Sequence, residues 1–205
     1  MKLRVVLATT NPAKLRELAD LLVPWQVEVL AQSAFTRESV AETGLTFVEN
    51  AILKARHAAS KSGLPAVADD SGIEVDALHG RPGIYSARYA GPEASDADNL
   101  QQLLAELMDV PQDRRTARYR CALVYLRFET DPAPVICQAS WEGQILTAPR
   151  GEGGFGYDPV FQVAGLDSTA AQLTAADKNR LSHRGKALRL LIQELEASGA
   201  LPRRA

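Results

Sequence analysis

The first part of the chain alternates between strand-like and helix-like patterns, and this alternation most constrains the fold. Residues 3–8 (LRVVLA) are apolar and β-branched, as expected of a buried strand. Asn11 and Pro12 then open a helical pattern, since both residue types favour the start of a helix. Its buried face is marked by Leu15, Leu18 and Leu22. A strand, a loop and a helix in this order predict an α/β protein.

The same alternation continues to the end of the chain. Residues 27–31 predict a second strand, and Thr46 and Glu49 have the spacing of a capping box ahead of a helix that Gly63 ends. Further elements are expected at residues 65–69 (strand), about 96–108 (helix), 116–128 and 133–142 (an antiparallel strand pair) and 182 to about 197 (helix). We therefore predict a mixed sheet with flanking helices.

Composition narrows the class further. A chain of 205 residues that is 46% hydrophobic is long enough for one sizeable core, so residues 1–205 are expected to form a single domain. The net charge of −2 gives no general attraction to nucleic acid or to a membrane, so a small-molecule substrate is expected. Cys121 and Cys137 lack paired spacing, and the first residues lack the apolar core of a signal peptide, which favours the cytoplasm.

Residues 9–17 follow the first strand and carry the first candidate site. Thr9, Thr10 and Asn11 supply polar groups, and Lys14 adds a cation one turn into the helix. Free N–H groups at a helix start together with a cation suit a phosphate. Threonine and asparagine are also ordinary helix caps, so the residues alone leave both interpretations open.

Two adjacent carboxylates, Asp69 and Asp70, close the apolar run at 65–69 and precede Ser71 and Gly72. Like charges side by side repel each other, and a hard cation such as Mg²⁺ would remove that repulsion. Neighbouring residues of a strand point to opposite faces, so the two acids share a site only if the strand has already ended. A plain turn is the alternative, because aspartate, serine and glycine all favour turns.

Two later segments complete the candidates. Residues 151–161 form a glycine-dense loop with aromatic residues, which suits close approach to a planar base, although a hairpin loop or bulge has the same composition. Lys178 and the triplet Ser182, His183 and Arg184 supply donors for carbonyl or phosphate oxygens. Alone, these polar residues are equally typical of a surface.

Taken together, these segments resemble the inosine/xanthosine triphosphate pyrophosphatases, the Ham1-type enzymes. The matching segments are residues 9–17, 42–51, 68–72, 81–88, 153–159 and 182–185. The resemblance implies Mg²⁺-dependent hydrolysis of ITP, dITP and XTP to the monophosphate and pyrophosphate. It also implies an elongated two-lobed α/β fold around a long twisted mixed sheet, a substrate cleft between the lobes, and a homodimer.

The resemblance also assigns roles to individual residues. Asp70 is implied as the catalytic residue and as a metal ligand together with Glu42, while Asp69 supports them or holds a second metal. The implied substrate-binding residues are Thr9, Thr10, Asn11, Pro12, Ala13, Lys14, Ser71, Phe155, Gly156, Tyr157, Asp158, Lys178, His183 and Arg184. Donors from His183 and Arg184 would favour purines with a keto oxygen at C6 over adenine. Thr10 stands where many members have glycine, which leaves the geometry of that loop open.

Two other functions are compatible with parts of the sequence. One is a Maf-like nucleotide pyrophosphatase with a different base preference, against which the loop at 155–158 and the triplet at 182–184 argue. The other is a nucleotide-binding module without catalysis. The acid pair argues against it, because extra negative charge beside a triphosphate is useful only when a metal is held.

Overall fold

A computed structural model describes residues 3–9, 11–25 and 27–201. Its strands are β1 (Arg4–Leu7), β2 (Glu28–Ala31), β3 (Ala66–Val75), β4 (Thr116–Leu126), β5 (Val135–Ile145) and β6 (Phe161–Val163). They form one sheet in the order β2-β1-β3-β4-β5-β6. Strand β1 runs parallel to β2 and β3, whereas β6 is antiparallel to β5. The predicted mixed sheet is therefore confirmed.

Five α-helices accompany the sheet in the described part of the chain. They are α1 (Pro12–Leu22), α2 (Phe47–Ser62), α3 (Asp96–Glu106), α4 (Ala175–Leu181) and α5 (His183–Ala197). The predicted capping box is present, since Thr46 and Glu49 each accept from the other's backbone N–H at the start of α2. Gly63 ends α2 with a φ of 67°, a left-handed conformation that glycine adopts without strain. Among these described residues, no helix is long and apolar enough to cross a bilayer.

One sequence prediction about the sheet is wrong in its extent. The strand predicted at residues 65–69 continues through both acids and on to Val75. The apolar and β-branched residues Ile73 and Val75 are buried and continue the strand, so sheet packing outweighs the turn preference of Ser71 and Gly72. The short elements α4 and β6 were not predicted, because seven and three residues are too few for a periodic pattern.

Contacts divide the chain into two compact units, and the first comprises Met1–Asp70, Cys121–Ala139 and Arg184–Ala205. Alternate residues of its strands face opposite sides of the sheet. Val5, Val67 and Leu123 pack on one face with residues of α1 and α5, such as Leu18 and Leu191. The opposite face packs against alanines of α2, and its core includes Val6, Ala66, Ala68, Ala122, Ala51 and Ala55. Each face of β3 is therefore covered by different helices.

The second unit comprises Ser71–Arg120 and Ser140–His183. Its core combines aliphatic residues of α3 with an aromatic cluster on the strands. In that cluster the ring of Tyr119 lies 4.7 Å from that of Phe161 and 6.2 Å from that of Trp141. Large rings bury much apolar area with few torsions to fix, so this cluster contributes strongly to the core of the second unit.

Candidate active site

The acid pair lies within β3 rather than at its end, and the pleat separates the two side chains. Asp69 shares the face of Val67, which α1 and α5 cover, whereas Asp70 shares the face of Ala68, which α2 covers. Both are buried, with 2% and 6% of their surface exposed. The two acids therefore belong to different charge clusters.

Asp69 is the buried centre of an ion cluster in the first unit. Its carboxylate accepts from Lys14 Nζ on α1 at 2.5 Å and from Arg184 Nε on α5 at 3.2 Å. The Cys121 Sγ–H donates to it at 3.1 Å, and Arg184 also donates to the carboxylate of Glu17. Burial opposes ionisation, but the charges of Arg184 and Lys14 outweigh it and hold the pKa of Asp69 well below its ordinary value. Asp69 thus links the starts of two helices as an anion.

Asp70 faces a lysine that no sequence pattern identified. Lys54 Nζ, on α2, donates to Asp70 at 2.6 Å and to Glu42 at 2.9 Å, so two carboxylates share one ammonium group. Burial raises the pKa of Asp70 in spite of the opposing charge of Lys54. Burial would lower the pKa of Lys54, but Asp70 and Glu42 outweigh it and raise that pKa. A carboxylate with a raised pKa is a stronger base than ordinary aspartate, which suits proton acceptance.

Glu42 and Asp70 are also the predicted metal ligands. In the described ranges no cluster of three or more histidine, cysteine, aspartate or glutamate residues has the geometry to hold a metal ion. The two carboxylates nevertheless converge on a single cation, Lys54 Nζ. Mg²⁺ commonly takes only one or two carboxylates and completes its shell with waters and substrate phosphates. The donor set therefore fits this ion when a nucleotide supplies the remaining oxygens.

The segment before α1 is organised as a helix cap. Thr9 Oγ1 accepts from the backbone N–H of Asn11 at 3.1 Å, and Asn11 Oδ1 accepts from that of Lys14 at 3.2 Å. The capping interpretation is therefore confirmed, and it leaves a helix N-terminus beside the lysine. Pro12 and Ala13 form the first turn of α1. Thr10 lies outside the described residues.

In the second unit, the glycine-dense loop is tied together by Asp158, which is 3% exposed. Its carboxylate accepts from the backbone N–H of Phe155 at 2.9 Å, from Lys178 Nζ at 2.7 Å and from the Tyr119 hydroxyl at 3.2 Å. A side chain on Gly154 would collide with this carboxylate, so only glycine allows the loop to close over it. Asp158 therefore acts as the internal anchor of the loop.

Other predicted base-binding residues surround this anchor. Lys178 Nζ lies 4.6 Å from the centroid of the Phe155 ring, which is a cation–π distance. Gly156 donates its backbone N–H to Asp96 at 2.8 Å. Tyr157 is 4% exposed and its hydroxyl donates to the carbonyl of Ser86 at 2.8 Å, so its ring belongs to the core below the loop.

His183 begins α5, and its imidazole stacks on the ring of Tyr119 at 4.7 Å with an interplanar angle of 8°. Tyr119 therefore contacts both His183, through its ring, and Asp158, through its hydroxyl. Like Lys54, it was not identified from the sequence, whereas Glu17 lies within the predicted segment 9–17 without an assigned role. Lys54 contacts Asp70, Tyr119 contacts Asp158, and Glu17 contacts Arg184, at separations of 16, 39 and 167 positions. No local spacing in the sequence signals such contacts.

The structure brings together several predicted residues within each unit. In the first unit Lys14 meets Arg184 through Asp69, and Glu42 meets Asp70 through Lys54. In the second unit Phe155, Asp158 and Lys178 form one cluster. Ser71 follows Asp70 on β3 and is half-buried.

A capped helix start, acids paired with lysines and an α/β sheet are compatible with an enzyme that acts on phosphates. Comparison with known proteins gives the family: the Ham1 family model matches residues 5–194, and the chain belongs to this family. The resemblance noted in the sequence is confirmed.

Relatives match over almost their whole length. The dITP/XTP pyrophosphatase of Vibrio parahaemolyticus is 58% identical over 197 residues, which cover 96% of this chain and 98% of that one. The dITP/XTP pyrophosphatase of Escherichia coli O157:H7 is 57% identical over 94% of this chain and 98% of its own. Among solved structures, a HAM1 protein from Coxiella burnetii matches with a TM-score of 0.88 at 47% identity, covering 95% of this chain and 99% of that one.

Proposed function

We propose that the protein hydrolyses non-standard purine nucleoside triphosphates, namely ITP, dITP and XTP, to the nucleoside monophosphate and pyrophosphate. The observation that carries the proposal is the convergence of Asp70 and Glu42 on one cation. It occurs in a chain 58% identical to a dITP/XTP pyrophosphatase over nearly the full length of both. Such hydrolysis removes abnormal purines from the nucleotide pool.

In the proposed reaction, Asp70 accepts a proton from a water molecule whose oxygen attacks the phosphoanhydride between the α- and β-phosphates. One P–O bond forms and the bridging P–O bond breaks. Attack at the α-phosphorus leaves the bridging oxygen on pyrophosphate, whereas attack at the β-phosphorus leaves it on the monophosphate. Burial raises the pKa of Asp70 when no metal is bound, and its carboxylate oxygens can accept a hydrogen bond from the attacking water. Lys54 holds the carboxylate in place through a 2.6 Å hydrogen bond.

We assign Mg²⁺ as the cofactor, with Asp70 and Glu42 as its protein ligands. Bound there, Mg²⁺ would neutralise charge on the phosphate oxygens and lower the pKa of a bound water. Lys54 bridges these two carboxylates, so they stay close together without the ion. This arrangement supports a metal that arrives together with the nucleotide.

The phosphate-binding role is proposed for the start of α1. Lys14 supplies positive charge, and the helix N-terminus that Asn11 caps supplies N–H groups such as that of Ala13. Thr9 and Thr10 add hydroxyl groups, and Pro12, which has no N–H group, fixes the first turn of the helix. Ser71 adds a hydroxyl directly after the catalytic aspartate. Charge that shifts as the anhydride breaks is stabilised by such fixed cations.

Base recognition is proposed for the loop residues Phe155, Gly156, Tyr157 and Asp158, together with Lys178, His183 and Arg184. The Phe155 ring offers a stacking surface, and Asp158 and Tyr157 fix the loop beneath it. Donors from His183 and Arg184 favour a keto oxygen at C6 and leave a buried donor unpaired against adenine.

Replacing Arg184 with alanine tests this base-reading role. We expect ITP hydrolysis to fall more than ATP hydrolysis, so that the ratio of their kcat/KM values decreases about tenfold or more, since a buried charged hydrogen bond is lost. An equal fall for both nucleotides would remove Arg184 from base reading and leave it the role of holding Asp69 and Glu17.

A panel of nucleoside triphosphates tests the function as a whole. Pyrophosphate release is measured for ITP, dITP, XTP, ATP, GTP and pyrimidine nucleotides, each with and without Mg²⁺. Preference for the keto purines with a requirement for the metal is the expected result. Preference for pyrimidine or modified nucleotides would support a Maf-like activity, and binding without release would support a non-catalytic module.

We further propose that residues 1–205 act as one domain, that the protein is a homodimer, and that it works in the cytoplasm. Cys121 and Cys137 are both free and buried, which is compatible with a reducing compartment. Light scattering after size-exclusion chromatography should give twice the 22.2 kDa mass of one chain. A single-chain mass would reject the dimer.

A further inference from the structure

The segment that carries Glu42 has neither helix nor strand geometry from Ala41 to Gly44. Side chains of α2 nevertheless contact this segment at several positions. Glu49 Oε2 accepts from the backbone N–H groups of Leu45 at 2.8 Å and Thr46 at 2.9 Å. One position along, Asn50 Oδ1 accepts from the N–H of Gly44 at 2.8 Å. A full turn later, Lys54 donates to Glu42 itself. The segment is therefore fastened to α2 residue by residue as it approaches the acid cluster.

Asn50 is an unusual residue for its position. It is 0% exposed and stands among the buried alanines of α2, such as Ala51 and Ala55. Its Nδ2 has no hydrogen-bond partner among the residues that the structure describes. Burying an amide with an unsatisfied donor costs free energy that an apolar residue would avoid. The bond from Gly44 to Oδ1 is therefore the contact that the fold gains from having asparagine here.

Gly44 is matched to Asn50. A Cβ atom at position 44 would lie 2.5 Å from the Glu49 Cβ and 2.8 Å from Asn50 Oδ1. Both distances are too short for real atoms, so any other residue would push the segment away from the helix. The close approach and the hydrogen bond together fix the backbone two residues from Glu42.

Asn50 and Lys54 are four residues apart and thus lie one above the other on the same side of α2. Lys54 contacts the Glu42 carboxylate through a flexible side chain, and such a contact does not by itself fix the backbone near Glu42. Asn50 supplies that missing constraint, because its short side chain bonds directly to the main chain.

We propose that Asn50 is a positioning residue for metal binding. By accepting the hydrogen bond of the Gly44 N–H, it holds this segment against α2 and places the Glu42 carboxylate opposite Asp70. The inference rests on the proposed metal role of Glu42 and Asp70. Groups that orient metal ligands commonly change metal affinity by about 10- to 100-fold when they are lost.

Three variants test the inference. Asn50→Ala removes the acceptor, Gly44→Ala pushes the segment off the helix, and Asn50→Asp keeps an oxygen where Oδ1 lies. A matched control is Asn99→Ala in the second unit. Asn99 is 2% exposed on α3, accepts from the N–H of Ala90 at 2.8 Å and donates to the carbonyl of Ala87, so it also fastens a loop to a helix.

Three measurements are made on each full-length variant. The first is the Mg²⁺ concentration that gives half-maximal ITP hydrolysis. The second is Mn²⁺ binding, followed by electron paramagnetic resonance with α,β-imido ITP, which requires no turnover. The third is hydrogen exchange at the Gly44 amide. We expect Asn50→Ala and Gly44→Ala to need roughly tenfold more Mg²⁺ and to bind Mn²⁺ correspondingly more weakly.

The remaining expectations separate positioning from folding. Exchange at the Gly44 amide should be faster in Asn50→Ala, Asn50→Asp should recover most of the metal affinity, and Asn99→Ala should keep the wild-type metal requirement. If Asn50→Ala only lowers the melting temperature and keeps the wild-type metal titrations, Asn50 is structural and the inference is wrong. If Asn50→Ala does not fold, unchanged metal titrations for Gly44→Ala overturn it. A wild-type enzyme with no metal requirement overturns the proposed cofactor and this inference together.

Discussion

Each unit contains a buried lysine–aspartate pair of almost the same length, and the two pairs differ in what surrounds them. In the first unit Lys54 lies 2.6 Å from Asp70, and the lysine is shared with a second carboxylate, Glu42. In the second unit Lys178 lies 2.7 Å from Asp158, and the aspartate is shared with further donors from Phe155 and Tyr119.

The sharing decides what each pair does. Two carboxylates on one ammonium leave an excess of negative charge, which attracts a metal ion and its phosphates. Several donors on one carboxylate leave that aspartate fully satisfied, so it closes a loop and has little capacity for another ligand. Chemistry is therefore expected at the Lys54 pair and selectivity at the Lys178 pair.

The sharpest test of this contrast is Asp70→Asn. The amide has the same shape but cannot take a proton, so turnover of every nucleotide should fall by about 10²- to 10⁴-fold while circular dichroism stays unchanged. Pyrophosphate release from ITP and from ATP is the measurement. Retention of most activity would remove Asp70 from the mechanism.

Lys14→Ala should give the next largest effect. Lys14 pairs with Asp69, and its loss removes positive charge from the start of α1. We expect KM to rise by about 10- to 100-fold for ITP and for ATP alike, the factor that corresponds to one charged hydrogen bond. A rise confined to one base would contradict the assignment of Lys14 to the phosphates.

Asp158→Asn should separate the two pairs. It weakens the hold on Lys178 and on the Phe155 backbone, so we expect the preference for ITP over ATP to fall about tenfold with a smaller loss of kcat. Tyr119→Phe, which removes one hydroxyl and keeps the ring on His183, is the milder companion. If Asp158→Asn instead reduced kcat for all nucleotides equally, the contrast would be wrong.

Asp131→Asn is a control variant that should change the stability of the protein and leave its activity unchanged. Asp131 is 1% exposed and bonds to Arg127 through both carboxylate oxygens, which lowers its pKa well below the usual value. This stabilisation is present above the pKa of the unfolded state, about 3.9, and is lost as the pH falls through the pKa of the folded state. The variant should be less stable by about 2 kcal/mol at pH 7, by less below pH of about 4, and equally active. Calorimetry across pH tests the expectation, and an activity loss would show that Asp131 affects the site.

Much of the architecture could be read from local patterns, because local chemistry determines it. Thr46 and Glu49 predicted the capping box, and Gly63 predicted the end of α2. The continuation of β3 to Val75 could not be predicted from Ser71 and Gly72, since it depends on burial within the sheet.

The candidate site divides in the same way. Residues 9–17 and the acid pair carry local signals, and the structure places Lys14 on Asp69 and a cap on α1. Whether Asp69 and Asp70 share one site depends on where β3 ends, and its end at Val75 could not be predicted from the sequence. Lys54 could not be identified, because only the packing of α2 on one face of β3 brings it to Asp70.

The alternation of side chains along β3 determines how the site responds to an insertion or a deletion in this strand. A one-residue register slip against β1 would turn the Asp70 carboxylate toward α1 and α5 and bring Asp69 to Lys54, although the composition of the strand would be unchanged. A substitution in this strand changes one side chain, whereas a single-residue insertion or deletion between Ala66 and Asp69 exchanges the environments of both acids at once. The register of β3 against β1 therefore determines which acid faces Lys54 and which faces Lys14.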